Sequence, residues 1–265
     1  MAIIELKDLH FSYTAEEEVI NGMNFIIDDR STAIIGQNGA GKTTFAKLLK
    51  GLLKPTKGEI LLNGRSTKDM TVAMLAKKVG MVFQNPNDQI FKYQVLDEVM
   101  FGPLQIGMDK AAARRNAEEA LESVALSGLE TTNPYDLGLS VRKLVAVASI
   151  LAMDTEIILF DEPTIAQDYA GKERLKEIVR KLRSQGKTVI TITHDMNFVA
   201  DVFERTIVFA SGKKIADDDT KSVFLKKDIL ERAYLEQPDV MKISTELGWQ
   251  ESFLTIDEFV GAIKR

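Results

Sequence analysis

The sequence has no cysteine, two histidines, one tryptophan and six prolines in 265 residues. Without cysteine there can be no disulfide framework, no thiolate nucleophile and no cysteine-ligated zinc or iron–sulfur cluster. That absence accords with a reducing compartment. A basic excess is lacking too. Against 39 acids stand 34 lysines and arginines, a net charge of −5, so no general field attracts a phosphate backbone and no nucleic-acid partner is expected. Long apolar runs are also missing. The longest, Leu144–Met153, is interrupted by Ser149 and amounts to about half a membrane span. Met1–Asp8 places acids where a secretory leader carries its apolar run. The chain is therefore expected not to cross a membrane, although it can sit on one through a partner.

What is present is a 45% hydrophobic composition, enough for a packed core, in a chain long enough for one large domain with an appendage. Residues 2–9, 19–27 and 58–62 alternate or run short and apolar, as half-buried strands do. Fully apolar runs at Ala33–Ile35, Val79–Phe83, Ile157–Phe160 and Val189–Ile192 look like strands buried on both faces. Helix-period segments fall at 42–53, 109–126, 141–153, 171–184 and 196–203. Buried strands alternating with helices imply a three-layer α/β domain with a mainly parallel sheet, and the early alternating strands imply an antiparallel sheet beside it. From about residue 218 the pattern changes to short helical pieces, 221–235, 238–247 and 256–264. The expected division is a main domain over 1–217, with a helical subdomain at about 90–150, and a helical extension over 218–265.

Two motifs carry chemistry. Gly36-Gln37-Asn38-Gly39-Ala40-Gly41-Lys42-Thr43-Thr44 follows the apolar run 33–35 and opens a helical pattern, which fits the phosphate-binding G-x-x-x-x-G-K-[ST]. Glycines let successive N–H groups face inward, and the helix start adds its positive end. Lys42 brings a charge to the β- and γ-phosphates, and the Thr43 hydroxyl is a hard ligand for Mg²⁺. In Ile157-Ile158-Leu159-Phe160-Asp161-Glu162-Pro163, a buried strand delivers two acids to the carboxyl edge of a parallel sheet. Asp161 is suited to a hydrated Mg²⁺, and Glu162 to deprotonating a water. A helix-capping role for Asp161 is the blander alternative; together with the phosphate loop, the pair reads as a nucleotide hydrolase site.

With Gln84 in Met81-Val82-Phe83-Gln84-Asn85-Pro86 and His194 in Ile192-Thr193-His194-Asp195, these motifs resemble the nucleotide-binding subunit of an ABC transporter. The stretch Phe83–Phe91 is similar, more narrowly, to the ATPases of energy-coupling factor (ECF) importers and the cobalt-type systems related to them. The resemblance implies a P-loop ABC cassette: a three-layer, mainly parallel sheet, an antiparallel β subdomain, a helical subdomain and a small helical C-terminal dimerisation extension. It implies ATP and Mg²⁺ as ligands, with Gly36, Asn38, Gly39, Ala40, Gly41, Lys42, Thr43 and Thr44 around the phosphates and Tyr13 stacked on adenine. Thr43, Gln84 and Asp161 would hold the metal, while Glu162, His194 and Gln84 would serve catalysis. Asp168 matches an aspartate that reaches across a dimer, although Gln167 stands where leucine is usual. His10 has no such match. The implied partners are a second ABC ATPase, a transmembrane coupling subunit and a separate substrate-binding membrane subunit, at the cytoplasmic face of the membrane.

One element departs from the family pattern. The signature L-S-G-G-Q aligns without gaps on Leu137–Val141, where Gly138 stands for serine, Leu139 and Ser140 for the two glycines and Val141 for glutamine. This element binds ATP held by the other subunit, through a hydroxyl, glycine N–H groups and a helix start, so an unequal heterodimer is implied. A soluble ABC ATPase acting on DNA, ribosomes or cluster assembly is the alternative. Too few positions separate Lys42 from Asp161 for a long coiled-coil insertion, and the acidic balance disfavours it. A small-molecule kinase would leave Gln84 and His194 unexplained.

Overall fold

The computed structural model describes residues 3–15 and 17–264. Strands β1 (Ile4–Thr14), β2 (Glu17–Ile27), β3 (Thr32–Ile35), β4 (Lys57–Leu62) and β5 (Arg65–Ser66) form the N-terminal part with helix α1 (Lys42–Leu49). Next come α2 (Val72–Ala76), β6 (Val79–Val82), α3 (Val95–Gln105), α4 (Lys110–Ser123) and α5 (Leu139–Leu151). The remaining core elements are β7 (Ile157–Asp161), α6 (Tyr169–Ser184), β8 (Thr188–Ile192), α7 (Met196–Val202), β9 (Arg205–Ala210) and β10 (Lys213–Asp219). The chain closes with α8 (Thr220–Leu225), α9 (Lys227–Arg232), α10 (Asp239–Glu246) and α11 (Ile256–Ile263).

A four-stranded antiparallel sheet has the order β2-β1-β4-β5, and a six-stranded sheet the order β10-β9-β3-β8-β7-β6. In the larger sheet every pairing is parallel except the edge strand β10 on β9. Its inner strands are buried at every position because both faces are covered. The alternation is plain in β7, where Ile157 and Leu159 face the antiparallel sheet and α1, while Ile158 and Phe160 face α5, α6 and α7. Helix α1 lies inside the sandwich, its Phe45 ring 5.9 Å from those of Phe25 and Phe209. Register brings Ile34 and Asp161 alongside Ile192, so the ends of β3, β7 and β8 share one edge.

Five elements were not foreseen from periodicity, the short β5 and α2 among them. Helix α3 contains Gly102 and Pro103, which hide its period, although Val95, Val99 and Pro103 are all buried. Strand β9 (Arg-Thr-Ile-Val-Phe-Ala) is wholly buried, whereas β10 ends in three aspartates and is an edge strand. The segment 221–235 is two short helices broken at Lys226 rather than one. The C-terminal helices are tied to α7, since Asn197 donates to Asp239 Oδ2 at 2.7 Å and accepts from Asp239 N at 3.0 Å.

Candidate nucleotide site

The loop between β3 and α1 needs its glycines for two separate reasons. Gly36 packs so closely on β9 that a Cβ there would lie 2.3 Å from Phe209 O. Gly41 has φ +97°, and a Cβ would meet Val19 O at 2.9 Å. The loop is therefore clamped between β2 and β9 with its N–H groups at the head of a buried helix, the arrangement that favours an anion. Lys42 is buried, and its ammonium donates to Gly36 O at 2.6 Å and Gln37 O at 2.9 Å. Burial lowers its pKa, against the attraction of Glu162 and Asp161.

These residues open onto a cleft of about 310 Å³ whose walls include Tyr13, Asn38, Gly39, Gly41, Lys42, Thr43, Thr44, Gln84 and Glu162. The Tyr13 ring stands half-exposed at its mouth, edge-on to Phe11 with centroids 4.8 Å apart. Its hydroxyl is 3.3 Å from that of Thr44. Glu17 and Val19 also line the cleft; as ordinary residues of an alternating strand, they gave no sign of this in the sequence. Gly36 and Ala40 lie beneath, Ala40 packed into the core below the loop.

At the carboxyl edge, Asp161 is buried and its Oδ1 has no hydrogen-bond partner among the described residues. Burial first, and then the adjacent Glu162, push its pKa up to about 6, against the pull of Lys143, the Thr43 hydroxyl and Lys42. An orphaned buried carboxylate oxygen beside the Thr43 hydroxyl, with Gln84 lining the cleft that Thr43 also lines, is a fit donor set for a hard divalent cation. No cluster of three or more acidic, histidine or cysteine ligands occurs among the described residues.

Glu162 occupies the left-handed region, φ +48°, a conformation that costs about 1–3 kcal/mol and persists only where the surroundings enforce it. Enforcement comes from β8: Glu162 N donates to Ile192 O at 2.8 Å. Its carboxylate accepts from the His194 backbone N–H at 3.3 Å and lies 2.9 Å from His194 Nδ1. The His194 ring itself is largely exposed. Asp168 caps α6 within its own chain, accepting from Gly171 N at 2.8 Å.

Helix α5 begins at Leu139, with Gly138 as its N-cap, two residues before the expected start. Leu139 and Ser140 thus occupy the first helical turn, and Leu139 is half-exposed there. Ser140 Oγ donates to Gln167 Oε1 at 3.3 Å, and Gln167 Nε2 donates to Ser140 O at 3.1 Å. Two departures from the family pattern are therefore in contact. Lys143 escaped notice in the sequence: it is fully buried, donates to Phe83 O and Gln84 O, and burial brings its pKa down to about 8. The available signal was its place at the head of the unbroken buried run Lys143–Ile150.

A phosphate loop opening a buried helix, beside carboxylates at the same sheet edge, makes this a nucleotide-binding site of the P-loop class. The ABC transporter family matches residues 20–165, and the chain belongs to that family. It is 37% identical over 243 residues to an energy-coupling factor transporter ATP-binding protein, EcfA, of Methanocaldococcus jannaschii, covering 91% of this chain and 87% of that protein. Likeness to the EcfA of Carboxydothermus hydrogenoformans is 35% over 241 residues, 91% of this chain and 89% of that one. Among solved structures, cbiO1 of Clostridium perfringens, part of the ABC transporter complex cbiONQ, superposes with a TM-score of 0.78 at 27% identity, over 93% of this chain and 98% of that one. The post-hydrolysis dimer of the cassette MJ0796 with ADP and phosphate superposes with a TM-score of 0.75 at 30% identity, over 82% and 98%. The chain is an ABC ATPase, a nucleotide-binding protein in which no helix of the described residues is long and apolar enough to cross a membrane.

Proposed function

We propose that this chain is the ATP-hydrolysing subunit of an ECF-type importer of a vitamin or metal ion, working as one half of an ATPase heterodimer on the cytoplasmic face of the membrane. The observation that carries the reading is the cleft that joins the Gly36–Thr44 loop to Glu162, with His194 holding the carboxylate. Likeness to EcfA proteins over nine-tenths of the chain supports the importer class.

In this reading Tyr13 stacks on adenine, the N–H groups of Gly39, Ala40 and Gly41 receive the phosphates, and Lys42 leaves its loop carbonyls for the β- and γ-oxygens. Gly36, Asn38 and Thr44 shape the loop around them. Thr43, Gln84 and Asp161 would hold Mg²⁺, which supplies charge neutralisation at the phosphates when bound. Glu162 takes the proton of the attacking water, and His194 keeps the carboxylate aimed while its ring faces the γ-phosphate. Most of the rate gain comes from positioning and electrostatics.

The altered Gly138–Val141 element supports unequal sites. A partner with an intact element completes this chain's site, whereas ATP held by the partner faces Leu139 and Val141. The C-terminal extension, residues 218–265, supports pairing: Ile243, Leu247, Ile256 and Ile263 are exposed around a cluster of Trp249, Phe253 and Phe259 whose ring centroids lie 5.3–5.6 Å apart. The Gln84 loop would face a transmembrane coupling subunit, with a separate membrane protein selecting the substrate.

The test is to purify the native complex through a tag on this chain and identify its members, with Glu162→Gln in parallel. A multispanning membrane protein and a second ATPase are expected. Glu162→Gln should bind ATP yet lose at least about a hundredfold of single-turnover hydrolysis at this chain's site. Recovery of ribosomes or DNA instead would favour the soluble ABC class, and unimpaired turnover would remove Glu162 from its role.

A further inference from the structure

The segment that carries Gln84 leaves the sheet after β6 and is then held by α5. Lys143 Nζ donates to Phe83 O at 2.7 Å and to Gln84 O at 2.6 Å. Gln89 accepts from Phe83 N at 3.0 Å and donates to Ala146 O at 2.8 Å. Arg142 Nη1 reaches Asn87 Oδ1 at 2.7 Å. The peptide groups on both sides of the Gln84 Cα are therefore fixed by side chains belonging to, or bonded to, one helix.

Among these tethers Lys143 differs in kind. Its side chain is 1% exposed, and burying an ammonium is expensive unless it is paired or fully hydrogen-bonded. Two short charge-assisted bonds to consecutive carbonyls are the return, and Asp161 and Glu162 lie close enough to favour its charge. Packing alone would be served better by an apolar residue of the same length. Removing the ammonium would leave both carbonyls without this donor and free the backbone of Gln84, which lines the cleft.

We propose that Lys143 is a positioning residue for Gln84, fixing its backbone so that the amide faces Glu162 and tying it to the helix that begins with Gly138–Val141. The element facing the opposite nucleotide and the Gln84 amide are then mounted on one rigid piece, so displacement of either is felt by the other. This rests on the reading that the Glu162 cleft hydrolyses ATP.

The experiment is a double-mutant cycle in the native complex, reading the share of single-turnover ATP hydrolysis that Glu162→Gln removes. Lys143→Met should lower that share at least tenfold while ATP affinity stays within about threefold. Lys143→Arg, which keeps charge and donors, should recover most of it. In a Gln84→Ala background, Lys143→Met should cost less than twofold more, because the residue it positions is already gone. If Lys143→Met does not fold, Lys143→Gln, whose single amide cannot replace both bonds, takes its place in the cycle with at least a fivefold loss expected. Independent, multiplying losses of Lys143 and Gln84, or unchanged hydrolysis in Lys143→Met and Lys143→Gln, would overturn the proposal. If Glu162→Gln removes nothing, it is the reading of the cleft that fails, and the role of Lys143 with it.

Discussion

Replacing Asp161 with asparagine should make the protein more stable and unable to use its ligand. Asp161 is held where ionisation is disfavoured, with its pKa raised from 3.8 to about 6. The sign follows from proton binding: between those values the folded state keeps a proton that the unfolded state has lost, so stability declines as pH rises through this window. Above about pH 6 the full penalty is in force, and a shift of some two units corresponds to about 3 kcal/mol. Asparagine has the same shape and no charge, and it relieves Glu162 of a like-charged neighbour. Its amide still needs partners beside Thr43, so the expected net gain is about 1–3 kcal/mol. The assay is urea unfolding of the chain with chelator and without nucleotide, in a pH series from about 4.5 to about 7.5. Asp161→Asn should lead at the upper end, and the difference should close toward the lower end. Adding Mg-ATP should then stabilise the wild type far more than the variant. An Asp161→Asn protein no more stable than wild type at the upper end, or a difference independent of pH, would refute the reasoning.

Lys42→Ala should retain its fold while losing at least about a hundredfold in ATP affinity, since it removes the charge facing the β- and γ-phosphates; calorimetry showing unchanged affinity would contradict this. Tyr13→Ala should weaken ATP binding by about 5- to 100-fold, the usual span for loss of a stacking ring, with ATP and an adenine-free polyphosphate compared in the same titration. Writing Ser-Gly-Gly-Gln at 138–141 should raise turnover of the nucleotide held by the partner by a factor of about a hundred, as restored donors do at a charged site. The measurement is site-resolved single-turnover hydrolysis, and no change at the partner-held site would show the altered element to be without consequence.

The phosphate loop and the acids at the end of β7 were legible because their chemistry is local: a loop that must curl around phosphate needs its glycines and lysine within a few positions of one another. The buried strands β3, β6, β7 and β8 were legible by their unbroken apolar runs. Edge strand β10 was not, because its ladder is satisfied by β9 while its side chains remain largely polar. Helix α3 was concealed by Gly102 and Pro103, tolerated near its end where Gly102 packs on Met153. Lys143 was hidden for a different reason. A lysine in a helix ordinarily reads as solvated, and only the juxtaposition of α5 with the segment after β6 turns it into a buried donor. The hold of His194 on Glu162 likewise depends on β7 and β8 being neighbours, which no spacing along the chain states.

The paired hydrogen bonds between Ser140 and Gln167 make the altered phosphate-facing element hard to revert one residue at a time. A glycine at 140 alone withdraws the hydroxyl from Gln167 Oε1 and leaves that carboxamide half-satisfied. A leucine at 167 alone strands the Ser140 hydroxyl and takes a donor from its carbonyl. Either single step passes through a mismatched intermediate, and each becomes easier once the other has occurred. Such sign-dependent epistasis acts as a ratchet: once both residues have changed, undoing this contact requires two substitutions, one in the first turn of α5 and one in the segment before α6, 27 positions apart.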